Sequence, residues 1–305
     1  MMDHKTTLIV NPSADMGRAW RTIGDLRPLV EEFGGADWAG TVYPTHAAQL
    51  ACRVAEAGST LVIAAGGDGT VHEVINGLMQ VPREARPRLG IIPLGSGNDF
   101  AHTLAIPTNP AEALKRIYTG APMPIDLGVF ETDTGLREYF NNTFGMGFDA
   151  TVTIRTRRLT QLRGFMMYMV AVLQTIALNL DAPRMHIVTD LEQWDDETIM
   201  LVVCNGPREG GGFLVAPDSL ISDGILNYAT VNHVSQLMML RLLPAVMNGT
   251  HARFKQVRLG QLHRLQVQSE KPLPIHADGE VIAGFGTEVR NVTVEIIPSA
   301  LEIMI

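Results

Sequence analysis

Residues 60–70 constrain this chain more than any other stretch. Thr60-Leu-Val-Ile-Ala-Ala65 is an apolar run of strand length, and Gly66-Gly67-Asp68-Gly69-Thr70 follows it directly. A helix-period pattern then starts, with Val71, Val74, Ile75, Leu78 and Met79 at i, i+3, i+4, i+7 and i+8. Thr70 and Glu73 have capping-box spacing, which predicts a helix start at Thr70. A glycine-rich turn feeding a helix N-terminus presents backbone N–H groups and the positive end of the helix dipole, a ready phosphate site. Asp68 would repel a bare phosphate, so it makes most sense near a metal ion or a transferred proton. Taken alone, the motif also fits a tight strand-to-helix turn whose glycines serve geometry only.

A second loop repeats the logic. Leu89–Ile92 reads as a buried strand, and Pro93-Leu-Gly95-Ser96-Gly97-Asn98-Asp99-Phe100 follows, with Ser96 and Asp99 again at capping-box spacing. The two loops lie about 30 residues apart, which suits successive βα units. Together they suggest a polyphosphate site with Asp68 and Asp99 facing one cleft. The chain has neither G-x-x-x-x-G-K-[ST] nor a G-x-G-x-x-G after a strand. A nucleotide would therefore rest on backbone amides and a metal ion.

The first 125 residues alternate strand and helix: strand 6–10, a helix over about 17–33, strand 37–42, helix 46–57, the strand and helix around the first glycine loop, strand 89–92 and helix 111–118. That pattern predicts an α/β layer with a largely parallel sheet, its site at the strand ends. From Ile125 short apolar runs dominate, at 127–130, 139–144, 184–189, 199–204, 225–231, 256–259, 264–269 and 291–297. Helical segments at about 151–180 and 233–248 interrupt them, and the acidic run 190–197 reads as an exposed hairpin turn. The expectation is a mostly antiparallel β-sandwich over 126–297.

Composition narrows the function. A net charge of −8 argues against nucleic acid as the main partner. Cys52 and Cys204 lack metal-type spacing and read as buried thiols in a reducing compartment. No secretory signal precedes the first strand, so a cytoplasmic protein is expected. The apolar stretch 164–180 is short for a membrane span and is broken by Gln174 and Asn179, so it reads as a buried or surface-docking helix. Arg155, Arg157, Arg158 and Arg163 precede it; they are either a solvated face or a basic patch for an anionic bilayer.

The order of motifs along nearly the whole chain resembles the diacylglycerol kinase catalytic family, especially its soluble bacterial lipid-kinase branch (YegS- and DgkB-like), with sphingosine kinases as relatives. Asn11-Pro12-Ser13 looks like the family's first nucleotide loop, Thr41 like its adenosine-side threonine, and residues 93–101 like its P-x-G-T-x-N-D-F-A loop, with Ser96 in place of threonine. Asp126-Leu-Gly128, Asn205-Gly206, Gly210-Gly-Gly212, Ala216-Pro217, Asp223-Gly224 and His276-Ala-Asp278-Gly279-Glu280 follow in family order. Ala14-Asp15-Met16-Gly17 departs from the usual serine-glycine continuation of the first loop. The resemblance implies an NAD-kinase/phosphofructokinase-like domain over 1–125, rejoined by a last strand at about 298–305, and a lipid-substrate sandwich over 126–297. It implies ATP bound by Asn11, Pro12, Ser13, Thr41, Gly66, Gly67, Asp68, Gly69, Thr70, Gly95, Ser96, Asn98 and Asp99. It further implies Mg2+ at Asp223 and the backbone carbonyls of Leu220 and Ile225, a lipid acceptor at a membrane surface, and a homodimer.

Asp278 and Glu280 are the candidate catalytic pair. In an extended segment they would share a face, and two like charges that close raise one pKa toward a working base. Glu280 is then the general base and Asp278 an electrostatic or metal-network partner; in isolation the same residues also read as a hairpin turn with solvated acids. His46, His72 and His276 fit capping or supporting roles better than that of a base. The leading function is ATP- and Mg2+-dependent phosphorylation of a lipid hydroxyl, diacylglycerol-like or another long-chain lipid. A kinase of a soluble acceptor on the same fold, and a non-catalytic nucleotide- or lipid-binding regulator, are the alternatives.

Overall fold

The computed structural model describes residues 5–159, 161–162 and 164–305, the side chains of Asp15 and Met16 excepted, so Arg163 lies outside the described residues. The chain divides into two compact units, residues 1–125 with 299–305, and residues 126–298.

Unit 1 opens with β1 (Thr6–Val10), α1 (Ala14–Gly17), α2 (Ala19–Asp25), α3 (Arg27–Glu32) and β2 (Asp37–Gly40). It continues with α4 (His46–Glu56), β3 (Leu61–Gly66), α5 (Asp68–Leu78), β4 (Arg88–Pro93), α6 (Asp99–Thr103) and α7 (Pro110–Thr119). β1 pairs in parallel with β2 and β3, and β3 in parallel with β4. Both faces of such a sheet are covered, so its strands read as unbroken apolar runs: Leu8, Val10, Ile63, Ala65 and Ile92 share one buried cluster.

The single helix expected over 17–33 is two short ones, α2 and α3, with α1 ending at Gly17 just before them. Gly17 ends α1 at φ 79°, and Pro28 sits in the first turn of α3, where its ring cannot continue the preceding helix. The capping-box expectations also shift. α5 starts at Asp68 after an extended Gly67, not at Thr70, and Glu73 caps a different helix: its carboxylate accepts from the Thr45 and Ala47 N–H groups at the start of α4, at 2.8 and 3.0 Å. Likewise α6 starts after Asn98, which holds a left-handed φ of 53°.

Unit 2 starts within β5 (Pro122–Thr132) and adds β6 (Arg137–Phe140), β7 (Thr143–Gly147), α8 (Phe148–Thr156), α9 (Gly164–Leu178), β8 (Arg184–Thr189) and β9 (Gln193–Cys204). Next come β10 (Leu226–Asn232), α10 (Gln236–Met247), β11 (Val257–Leu262), β12 (Arg264–Ser269), β13 (Ile275–Ala277), β14 (Glu280–Ala283) and β15 (Asn291–Met304). Pairing here is antiparallel, in the order β14-β13-β7-β9-β8-β12-β15, with β10 and β11 branching from β9. Along β9, Leu201 and Val203 join one buried cluster while Val202 and Cys204 join the other, the alternation of a strand covered on both faces. The far end of β15 belongs to unit 1, where Ile303 pairs in parallel with Leu89 of β4.

Two expectations are corrected in this unit. The acidic run is not all turn: residues 190–192 make the corner, and Asp195, Asp196 and Glu197 lie in β9. The apolar run 139–144 is two strands, broken at Asn141 and Asn142, whose N–H groups go to Asp278. Cys52 and Cys204 are free thiols, Cys204 buried and Cys52 half-buried. Among the described residues no helix is long and apolar enough to cross a membrane.

α4 and α5 approach closely at Gly77, where an added Cβ would meet the Ala48 carbonyl oxygen at 2.2 Å and the Ala51 Cβ at 2.8 Å. Gly77→Ala must push the helix behind the first glycine loop outward. Overpacking of this kind costs about 1–3 kcal/mol. The expected outcome is a lower thermal midpoint; an unchanged midpoint would mean that the helices are not packed at this distance.

Candidate active-site elements

In unit 1 the parallel strands deliver three loops to one sheet edge. Asn11, just beyond β1, donates its backbone N–H to Ala65 at 3.0 Å and its side-chain amide to the Thr70 hydroxyl at 3.1 Å. Its carboxamide oxygen accepts from Ser13 N–H at 3.0 Å, folding Asn11-Pro12-Ser13 into a turn over the glycine loop. Thr41, buried after β2, donates its backbone N–H to Val10.

The two glycine loops touch. A Cβ on Gly67 would stand 3.1 Å from the Gly95 Cα, and one on Gly95 would stand 2.5 Å from the Gly67 Cα. Only glycine at both positions lets the backbones meet. Asn98 then locks the second loop by two bonds to Gly95, accepting from its N–H at 2.9 Å and donating to its carbonyl at 2.8 Å. Ser96 falls within the second loop, and Gly69 lies in the first turn of α5. No side chain caps α5, while the Thr70 and Val71 N–H groups donate to the Gly67 carbonyl.

Asp68 and Asp99 flank Gly97: a Cβ there would lie 3.1 Å from the Asp68 Oδ2 and 3.7 Å from the Asp99 Oδ2. The structure thus brings the two carboxylates together, as the loops suggested. Burial, and then the neighbouring Asp99 charge, push the Asp68 carboxyl up to about 6, against weaker opposition from the N–H groups of Phe100, Asp99 and Asn98.

In unit 2, Asp278 and Glu280 do not share a face of an extended segment. Asp278 (φ 50°) and Gly279 (φ 82°) form the two-residue turn between β13 and β14, with Ala277 opposite Glu280. Both central residues are left-handed, the twist that a tight hairpin requires and that Asp-Gly favours. The side chains therefore part. The buried Asp278 carboxylate accepts from the N–H groups of Asn141, Asn142 and Thr143 at 3.0, 2.8 and 3.0 Å. Glu280 is half-exposed, and its Oε2 lies 2.6 Å from an Arg157 nitrogen. Arg155 is likewise engaged, donating to the Asn179 amide oxygen.

Around Asp223 the loop is drawn against Asp126, an acid set in the apolar strand β5. The Gly224 N–H donates to the Asp126 Oδ2 at 2.7 Å, and the Asp126 N–H donates to the Ile221 carbonyl at 2.7 Å. The Asp223 Oδ1 accepts from Ile225 N–H at 3.1 Å. Two carboxylates beside a loop of carbonyls are hard oxygen donors, the set that Mg2+ takes, so these residues fit the expected ion. Asp126 went unassigned in the sequence reading, although a lone acid inside an apolar run was a usable signal. Arg157, as the partner of Glu280, had none.

Asp68 supplies a test by pH. A carboxyl whose folded pKa is raised costs stability above that value, and the cost disappears as pH falls through it. Asp68→Asn keeps an oxygen for the Phe100 N–H without the charge. The variant is expected to melt above the parent at pH 8, by on the order of 2 kcal/mol. The gap should close as pH falls through about 6 toward the ordinary 3.8. A gap independent of pH would mean that Asp68 titrates normally.

Residues 5–130 match the family described as diacylglycerol kinase catalytic domain, and residues 142–305 match the YegS C-terminal NAD kinase beta sandwich-like domain. A Chromohalobacter salexigens protein named "Probable lipid kinase YegS-like" is 33% identical over 91% of this chain and 87% of its own length. A Serratia proteamaculans protein of the same name is 31% identical over 83% of this chain and 78% of its own. Among solved structures, a candidate diacylglycerol kinase from Bacillus anthracis has a TM-score of 0.79 at 25% identity, covering 100% of this chain and 98% of that one. With both halves matched in order, this chain is a kinase that belongs to the diacylglycerol kinase catalytic family, in its YegS-like branch.

Proposed function

We propose that this kinase transfers the γ-phosphoryl group of ATP to the hydroxyl of a diacylglycerol-like or other long-chain lipid. The observation that carries the reading is the direct contact of the two glycine loops at the start of α5, in a chain matched over both halves to lipid kinases. Backbone amides of these loops, with Asn11, Ser13 and Ser96, hold the phosphates, and Thr41 lies toward the adenosine. Asp68 and Asp99 make the pocket favourable for a metal-bound nucleotide and unfavourable for a bare one. Mg2+, held by Asp223 and the carbonyls of Leu220 and Ile225, would neutralise developing phosphate charge.

Glu280 takes the proton of the acceptor hydroxyl. Arg157 holds that carboxylate in place until the substrate enters, and a half-exposed pair of this kind opens at little cost. Asp278 is not a second proton acceptor, because its two oxygens already accept three N–H groups. The lipid stays in its bilayer, so the enzyme must dock there. The α9 and α10 helices contact each other and leave Met166, Leu173, Leu178, Leu237 and Leu240 exposed, a surface suited to peripheral attachment.

The test is transfer from γ-labelled ATP to lipids in mixed micelles, with and without Mg2+. Removing a general base lowers turnover by about 10²–10⁴-fold. Glu280→Ala should lose lipid product on that scale while nucleotide affinity persists. Unchanged turnover in the variant would sink the base assignment, and label on a water-soluble acceptor alone would sink the lipid.

A further inference from the structure

Behind the Asp278–Gly279 turn, three ionisable side chains from three separate motifs are buried together. Asp149 follows β7, Glu209 precedes the glycines 210–212, and His276 lies in β13; one polar atom from each falls within 4.8 Å of the others. The His276 Nε2 stands 2.5 Å from the Asp149 Oδ2. Gly145 pairs with His276 across the strands, and a Cβ on it would lie 2.1 Å from the Asp149 Oδ2 and 2.2 Å from the His276 Nε2. That glycine is what leaves room for the pair.

The other ring nitrogen fixes the tautomer. Gly279 N–H points at the His276 Nδ1 over 3.4 Å. A backbone N–H can only donate, so Nδ1 is bare and the ring proton sits on Nε2, donated to Asp149. Burial, then Glu209 and Asp149, push the neighbouring Cys204 thiol up, so it stays protonated and inert. A metal ion among these groups fits less well. Ligands of a tetrahedral ion at about 2.0 Å stand about 3.3 Å apart. The 2.5 Å separation of the His276 and Asp149 atoms leaves no room for an ion bonded to both, and a direct hydrogen bond joins them.

We propose that His276 is a positioning residue: held by Asp149, it pegs the Asp278–Gly279 turn through Nδ1 and thereby sets the place of Glu280. The inference rests on Glu280 being the base.

Two substitutions separate the peg from the buried pair. In His276→Asn the amide oxygen takes the position of Nδ1 and keeps an acceptor for Gly279. In His276→Gln the amide reaches Asp149 in the position of Nε2 and leaves Gly279 without one. A small misplacement of a reacting group costs about tenfold to a hundredfold in rate. In the micelle assay His276→Gln should lose kcat on that scale with KM for ATP unchanged, while His276→Asn stays close to the parent. Full kcat in a folded His276→Gln, or equal losses in both variants, overturns the peg.

Because His276→Asn strips Asp149 of its donor and can fail to fold, the parent protein supplies a second readout. Nitrogen-15 NMR of histidine-labelled enzyme should show one ring protonated at Nε2 and bare at Nδ1 at neutral pH. The opposite tautomer, a doubly protonated ring, or about one bound transition metal per chain overturns the proposal. Glu280→Gln is run beside these. Full activity there overturns the base reading and the consequence for Glu280, whereas the NMR tautomer judges the peg by itself.

Discussion

The Asp278 carboxylate collects the N–H groups of Asn141, Asn142 and Thr143, and the β13–β14 hairpin depends on that bond set. A non-glycine residue in the left-handed region costs about 1–2 kcal/mol. A hydrogen bond to a charged group returns about 1.5–3 kcal/mol, so three of them hold the strained turn with a margin. The same bonds bend the apolar run 139–144 into β6 and β7, because amides spent on a carboxylate cannot serve a ladder. One buried acid thus determines where two strands end and where Glu280 begins.

Unit 1 solves its positioning problem with missing side chains instead. Gly67 against Gly95, Gly66 against the Thr70 side chain, and Gly77 against Ala48 each bring backbone closer than any Cβ would allow. Close backbone contact is what exposes amides on a rigid edge. It also leaves Asp68 in a poor place for a charge, beside Asp99 and half-buried. Such a cost fits a site that waits for a cation-bearing ligand, since a pocket comfortable when empty gains less on binding.

Much of this was legible in the sequence. The strand–glycine–helix units and the change of texture at Ile125 follow from local periodicity, the order of motifs was legible through its family resemblance, and the fold has the elements that periodicity pointed to. The approach of Asp68 to Asp99 was legible too, because parallel strands deliver successive loops to one edge. What was not legible depended on partners far along the chain. Glu73 has capping-box spacing to Thr70 yet bonds to Thr45 and Ala47, since the nearer helix start lay elsewhere. Asp278-Gly279 carries a hairpin signal of its own; reading it as extended put the two acids on one face, whereas the turn sends one to three backbone amides and the other to Arg157. No spacing rule connects residue 278 with 141, or 149 with 276.

The two acidic sites divide the chemical labour by how their charges are satisfied. Asp278 needs nothing more: its oxygens are occupied and its geometry is fixed, so it serves as an anchor and has little left for a metal. Asp68 is the reverse, its charge raised in energy by burial and by a like neighbour, so it is the carboxylate with most to gain from a cation. Asp126 and Asp223 stand between these limits, each accepting an N–H of the same loop. Glu280 differs from all of them, because its partner Arg157 is half-exposed and water can replace it. A proton acceptor of the kind proposed must be released on demand, and a half-exposed ion pair such as Glu280–Arg157 opens at little cost.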